Sequence, residues 1–467
     1  MEQKSDATLL KEQLFMNRKN GWQRVCAQTQ KEIMDFAEGY ADFLGKAKTE
    51  REAITLAVQL LEEAGFTPFS VQKSYRPGDR IYQINRGKSL IAAVIGNKPL
   101  EKGVRMVISH VDSPRLDVKP NPLYEADELA YLKTHYYGGI RKYQWPTVPL
   151  ALHGVVVKKD GTQITVNIGE GENDPRFVVT DLLPHLSAQQ NKRTLAEGIT
   201  GEELNLLVGS MPFKDEKESQ LVKLQMLNIL YEKYGIIEED FLSAELEIVP
   251  AGNPVDIGLD RSLLGGYGHD DRVCAYPSLM ATMDLIVPHQ TVVTVLADKE
   301  EIGSVGNTGL QSNFLTYFIQ DLAETFGCSG HRVLSHSTCL SADVNAAFDP
   351  TFSEPFEKNN SCYVNYGAVV TKYTGARGKS GSSDASAEFM GKIRGLLDTA
   401  RVVWQTGELG KVDAGGGGTV AGYVANLNVD VVDLGVPVLC MHAPFEVISK
   451  LDLFMAYKAM EAFYEAE

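Results

Sequence analysis

The chain has 467 residues, 44% hydrophobic and 23% charged, with 19 Tyr and 18 Phe to fill a sizeable core, which excludes a disordered chain and suits two globular domains better than one. A formal net charge of −16 argues against nucleic acid and anionic membrane as partners, because both would be repelled by so acidic a surface. Part of that acidity would be offset by bound cations.

The opening residues, MEQKSDATLLKEQLFMNRKNGW, lack the uninterrupted apolar stretch of a signal peptide, and no run of eighteen apolar residues follows, so a cytoplasmic address is expected. The segment KEIMDFAEGYADFLGKAKTEREAITLAVQLLEEAGF repeats apolar residues at three and four residue intervals and closes on Gly65, which predicts helix. From Tyr82 to Ile95, and in VRMVIS before His110, the pattern is that of strands, the second apolar enough to be buried on both faces. Beyond residue 119 the texture changes. LALHGVVVKKDGTQITVNIGEG alternates like a hairpin around Lys159-Asp160-Gly161, and short strands, turns and one amphipathic helix (KESQLVKLQMLNILYEKYG) follow. From residue 256 onward TVVTVLADKEE, CLSADVNAA and VPVLCMH each run from an apolar strand into a polar turn, separated by helical stretches such as SAEFMGKIRGLLDTA. The expected fold is therefore α/β: a catalytic domain in two segments, 1–119 and 256–467, with a mixed sheet flanked by helices, interrupted by a β-rich insert over 120–255. The six cysteines are scattered without a CxxC pair, so neither disulfides nor a Cys-ligated zinc is expected.

Polar clusters stand where apolar strands end: His110 in SHVDSP, Glu300 and Glu301 in DKEEIGS, Asp343 in SADVN and His442 in MHAPFE. Asp270 in GHDDRVCAY stands where a glycine-rich loop enters a helix. Ligands gather at the carboxyl ends of strands in open α/β sheets, so these residues can meet in space. Singly, each has an ordinary structural use, as a hydrogen-bonded histidine or a helix N-cap. Together, two His and three carboxylates make a mixed N/O set suited to Zn²⁺, Mn²⁺ or Co²⁺, and a bridging carboxylate can hold two such ions about 3.5–4 Å apart. Adjacent Glu300 and Glu301 point in different directions, so one can bind metal while the other stays free as a general base. Asp112 can reach back to the free nitrogen of His110 and fix its tautomer, or shape the turn before Pro114. Two other patterns carry less. Gly378-Lys379-Ser380 would need a glycine at position 373 to make a phosphate-binding loop, and Tyr373 stands there. The run Gly415 to Gly418 is too flexible to hold a metal, but its backbone can approach a substrate closely.

In order, SHVDSPRLDVKP, GHDDRVCAY, ADKEEIGS, SADVNAA and VPVLCMHAPFE resemble the M18 metallopeptidases over nearly the whole chain. The resemblance implies a metal-dependent aminopeptidase of zinc-exopeptidase-like fold with two divalent ions per subunit, Zn²⁺ first and Mn²⁺ or Co²⁺ as alternatives. It makes His110, Asp270 and Asp343 the ligands of one ion and Asp270, Glu301 and His442 those of the other. Glu300 matches the general base and Asp112 the residue that orients His110. The insert, in family terms a dimerisation and substrate-gating domain, carries a Pro184-His185-Leu186 segment whose His185 would reach into a neighbouring subunit's site and contact substrate. Some members have a second histidine where Gln189 stands here, and His153 in LALHGV, on what reads as an ordinary strand, is the lesser alternative for the donated histidine. Lys372 matches the substrate-selecting lysine. The implied partners are peptides with a free, acidic or neutral amino terminus and copies of the chain itself, in a dodecamer built from dimers. A deacylase of small amides and a non-catalytic shell protein are the competing readings.

Overall fold

The computed structural model describes residues 5–16, 18–215 and 217–467. Its largest sheet has nine strands in the spatial order 67–68, 80–85, 89–94, 292–297, 105–110, 338–341, 430–435, 368–371 and 404–406. The four neighbours Val292–Ala297, Arg105–His110, Thr338–Ser341 and Asp430–Gly435 run parallel. Every residue of the first two is buried, as continuous apolar runs in a sheet covered on both faces require. Val107 packs under the helices Ala27–Lys46, Glu50–Glu63, His269–Asp284, Ala387–Thr399 and Lys450–Glu465. Its neighbours Met106 and Ile108 face the opposite layer, built on Phe314–Thr325, Gly330–Ser335 and Ala421–Ala425.

The helical stretch that ends at Gly65 is two helices, Ala27–Lys46 and Glu50–Glu63. Thr49 and Glu52 form a capping box at the break, the hydroxyl accepting from the Glu52 amide and the carboxylate from the Thr49 amide, each at 3.2 Å. Both halves share one apolar period, so only the Thr-x-x-Glu signature marks the boundary.

A second sheet of seven strands, in the order 163–168, 150–157, 244–250, 115–126, 129–137, 206–209 and 178–179, encloses its own core around Trp145, Leu150, Leu206 and Ile248. The hairpin about Gly161 is present, with Val157 opposite Gln163. The strand Arg115–Ala126 runs across position 119 and already pairs in this sheet at Arg115, while Val255–Ile257 belongs to a third sheet. The helix Leu221–Tyr234 fully buries only Val222 and leaves Leu224, Ile229 and Tyr231 exposed, because its apolar residues are spread around the helix instead of gathered on one face.

The third sheet joins Val255–Ile257, Leu263–Gly266, Glu446–Ser449, Pro437–Leu439 and Asn345–Ala346. The strand of VPVLCMH therefore lies outside the main sheet. Among the described residues no helix is long and apolar enough to cross a membrane.

Candidate metal centre

His110 closes its strand opposite Ala297, the last residue of the adjacent strand, so the turn bearing Glu300 and Glu301 emerges beside it. Asp343 lies two residues beyond the next strand, Thr338–Ser341. The third sheet delivers the other side: Leu263–Gly266 leads through Gly268 to Asp270, and the turn after Pro437–Leu439 holds His442.

These residues converge as three overlapping groups, two of which share Asp270. His110, Asp270 and Asp343 form the first and Asp270, Glu301 and His442 the second, with one ligand atom from each residue within 4.8 Å of the others. Asp270 Oδ1 is 3.3 Å from His110 Nε2, and Asp270 Oδ2 is 3.1 Å from His442 Nε2. Asp343 Oδ1 lies 3.8 Å from His110 Nε2, and Glu301 Oε2 lies 3.5 Å from His442 Nε2. Glu300 Oε2 stands 3.9 Å from His110 Nε2, and His110, Glu300 and Glu301 form the third group.

Does this set fit metal? Glu301 Oε1 is buried with no hydrogen-bond donor, an arrangement that costs free energy unless a cation completes it. Imidazoles mixed with carboxylates suit a divalent transition ion. Both rings are also oriented from behind. His110 Nδ1 sits 3.0 Å from the Asp112 carbonyl and 3.3 Å from Asp112 Oδ1, and His442 Nδ1 sits 2.9 Å from the Gly139 carbonyl. A proton held on each Nδ1 leaves Nε2 free to face the centre.

Charge reinforces the point. Burial first, then Asp343, Asp270 and Asp112, pushes Glu300 up to about 8, and burial with Asp270 likewise raises Glu301 well above its ordinary value. Burial opposes ionisation of Asp270, yet hydrogen bonds from His110 and His442 outweigh it and hold Asp270 low. Burial also opposes a charge on His442, but Asp270 and Glu301 raise it to about 11. The two imidazoles thus occupy a strongly negative field. Bound cations would reverse these directions for the imidazoles and for Glu300.

Several supporting residues carried no signal of their own in the sequence. Glu446, buried within the MHAPFE motif, accepts from the Asp270 amide at 3.0 Å and the His442 amide at 2.7 Å, tying two ligand turns together. Asp271 Oδ2 accepts from the His110 amide at 3.3 Å. Tyr137 and Gly139 come from the second sheet and the loop after it.

The centre floors a cavity of about 830 Å³ walled by loops from residues 371–382 and 408–419. All four glycines of Gly415 to Gly418 line it, and a Cβ at Gly416 would meet the Gly375 carbonyl at 2.4 Å, so this backbone is packed in place. Lys372 is not among the lining residues and pairs with Asp384. Arg377, Lys379 and Lys411 do line the cavity. His185 is exposed and outside the lining, beside Leu182, Leu183 and Leu186, the last 68% exposed.

His153 is structural. Its Nδ1 lies 2.8 Å from Glu52 Oε1 and its Nε2 3.1 Å from Glu170 Oε1, so one buried ring ties the helix Glu50–Glu63 to the second sheet. Burial lowers its basicity, but the bonds to Glu170 and Glu52 prevail and raise its pKa above 6.5. A raised histidine stabilises fully below its unfolded pKa and loses that contribution as pH climbs through the folded one. The stability gap between the native protein and His153→Asn, about 3 kcal/mol at its widest, is expected below pH 6.5 and should narrow above it. Urea unfolding at several pH values checks this.

Known proteins resemble this chain in sequence and in fold. Residues 43–464 match the family described as aminopeptidase I zinc metalloprotease (M18). A probable M18 family aminopeptidase 1 of Clostridium acetobutylicum is 47% identical over 458 residues, 96% of this chain and 98% of that protein. The crystal structure of an M18 family aminopeptidase from Thermotoga maritima superposes with a TM-score of 0.93 at 42% identity, covering 97% of this chain and 100% of that one. More distantly, a structure described as a yeast (S. cerevesiae) mApe1 dodecamer shares the fold at 21% identity and a TM-score of 0.74, over 92% and 97% of the two chains. The chain therefore belongs to the M18 family of aminopeptidases, zinc metalloproteases that hydrolyse peptide bonds.

Proposed function

We propose that this chain releases amino-terminal residues from peptides at a pair of divalent ions, His110, Asp270 and Asp343 holding one and Asp270, Glu301 and His442 the other, with Glu300 as general base. The observation that carries the reading is Asp270, whose two oxygens face different imidazoles at 3.3 and 3.1 Å. When bound, such ions polarise a substrate carbonyl and bring the pKa of water to near 7. Glu300 faces the same cavity, takes a proton from the attacking water and returns it to the leaving amine. Asp112 holds His110 and the turn of Glu300 and Glu301 in register. The surplus of carboxylates on the floor favours a substrate with a free, protonated amine. Arg377 and Lys411, with Lys379 in its pairing to Asp384, beside Leu409, Val412 and Met441 give the cavity room for acidic and neutral residues alike. Lys372 reaches substrate in this reading only by releasing Asp384.

The inserted unit over 120–255 serves assembly and gating. The exposed leucines around His185 support a subunit contact through which this histidine enters a neighbour's site, and the dodecamer among the distant relatives supports an assembly of twelve chains, which we place in the cytoplasm. Mixing His185→Ala with Glu300→Gln subunits under exchange should restore part of the activity lost in each. Demonstrated exchange without recovery would refute donation between subunits.

The reading as a whole is tested with aminoacyl anilides and their N-acetylated counterparts, before and after chelation. Cleavage of the free amines only, abolished by chelator and restored by Zn²⁺, Mn²⁺ or Co²⁺, is expected. Preference for acetylated substrates would indicate a deacylase, and no turnover of either a non-catalytic shell.

A further inference from the structure

The strand Leu129–Tyr137 brings a residue of the second sheet against the metal centre. Tyr137 donates its hydroxyl proton to Asp112 Oδ2 at 2.8 Å. That buried carboxylate also accepts from the Glu300 amide at 3.1 Å and the Glu301 amide at 3.2 Å, and its Oδ1 faces His110 Nδ1 at 3.3 Å. One carboxylate therefore sets a ligand from each group and the general base, and Tyr137 is the only one of its four neighbours that does not belong to the centre itself.

The tyrosine is in turn held. Arg115 lies opposite Tyr137 in the strand pairing, with its guanidinium 3.9 Å from the ring centroid. Arg115 is fixed by the half-exposed Asp117 at 2.9 Å and by the buried Glu247 at 3.2 Å and Glu50 at 3.5 Å, a set that keeps the ring from swinging away. Two residues further on, the Gly139 carbonyl holds His442. The same stretch thus reaches both imidazoles, His110 through Asp112 and His442 directly.

We infer that Tyr137 is a positioning residue of the metal centre, fixing through Asp112 the orientation of His110 and the turn that carries Glu300 and Glu301. It does not line the cavity, so it acts on the reaction only through the residues it holds. The inference rests on the ligand assignment proposed above. Removal of a hydrogen-bond partner behind a metal ligand costs about 10–100-fold in metal affinity or activity.

The test is zinc affinity by competition with a chromophoric chelator, alongside kcat and KM, for the native protein, Tyr137→Phe, Asp112→Asn and the double variant. Phenylalanine keeps the ring on Arg115 and removes only the hydroxyl. Tyr137→Phe should weaken zinc binding about 10–100-fold and lower kcat with little change in KM, and should add almost nothing to Asp112→Asn, since the two act as one unit. A Tyr137→Phe protein that binds zinc and turns over like the native one, or losses that simply add to those of Asp112→Asn, overturns the inference while leaving the ligand assignment intact. A native protein that takes up no zinc overturns the assignment and the inference with it.

Discussion

Glu300→Gln is expected to abolish nearly all turnover while both metal ions and the fold remain. The amide keeps the size and shape of the carboxylate but cannot accept a proton, and loss of a general base costs about 10²–10⁴-fold. Glu300 faces the cavity and belongs to neither triad that shares Asp270, grouping instead with His110 and Glu301. In the metal-free field its carboxyl is pushed up to about 8, by burial first and then by Asp343, Asp270 and Asp112. Divalent cations in the two groups would offset those neighbouring charges and return Glu300 towards its ionised form at neutral pH. Steady-state kinetics with metal analysis of the same sample decides the matter: a near-native kcat at full metal occupancy would contradict the assignment.

The centre was legible in the sequence to the extent that its residues end or follow apolar strands buried in the main sheet. His110, Glu300, Glu301 and Asp343 each come after an apolar run in the parallel part of the main sheet, where burial on both faces leaves an unmistakable pattern. His442 too stands after an apolar run, VPVLC, but the sheet that this run joins was not legible. The strands concerned are two to four residues long and pair across large separations, Asn345 with Pro437 and Gly266 with Glu446, so no local period announces them. Tyr137, Gly139 and Glu446 escaped for a related reason, since their roles arise from tertiary placement alone.

Lys372 shows how finely such placement acts. Thr371, the last residue of its strand, and Tyr373 line the cavity while Lys372, at the bend between them, turns to Asp384. One residue of register separates a cavity residue from one outside it. The lysine that does line the wall, Lys379, sits in a tripeptide that had looked like a fragment of a phosphate loop.

The bridge formed by Asp270 is the central claim, and metal content per chain after dialysis tests it most directly. Asp270 places one oxygen toward each imidazole and is the only residue common to both triads, so its removal strips a negative charge from two cations at once. His442 belongs to one triad, and its loss leaves His110, Asp270 and Asp343 untouched. The native protein should retain close to two ions per chain, His442→Ala close to one, and Asp270→Ala close to none. Equal losses in the two variants, or a native protein saturated by a single ion, would contradict the shared bridge.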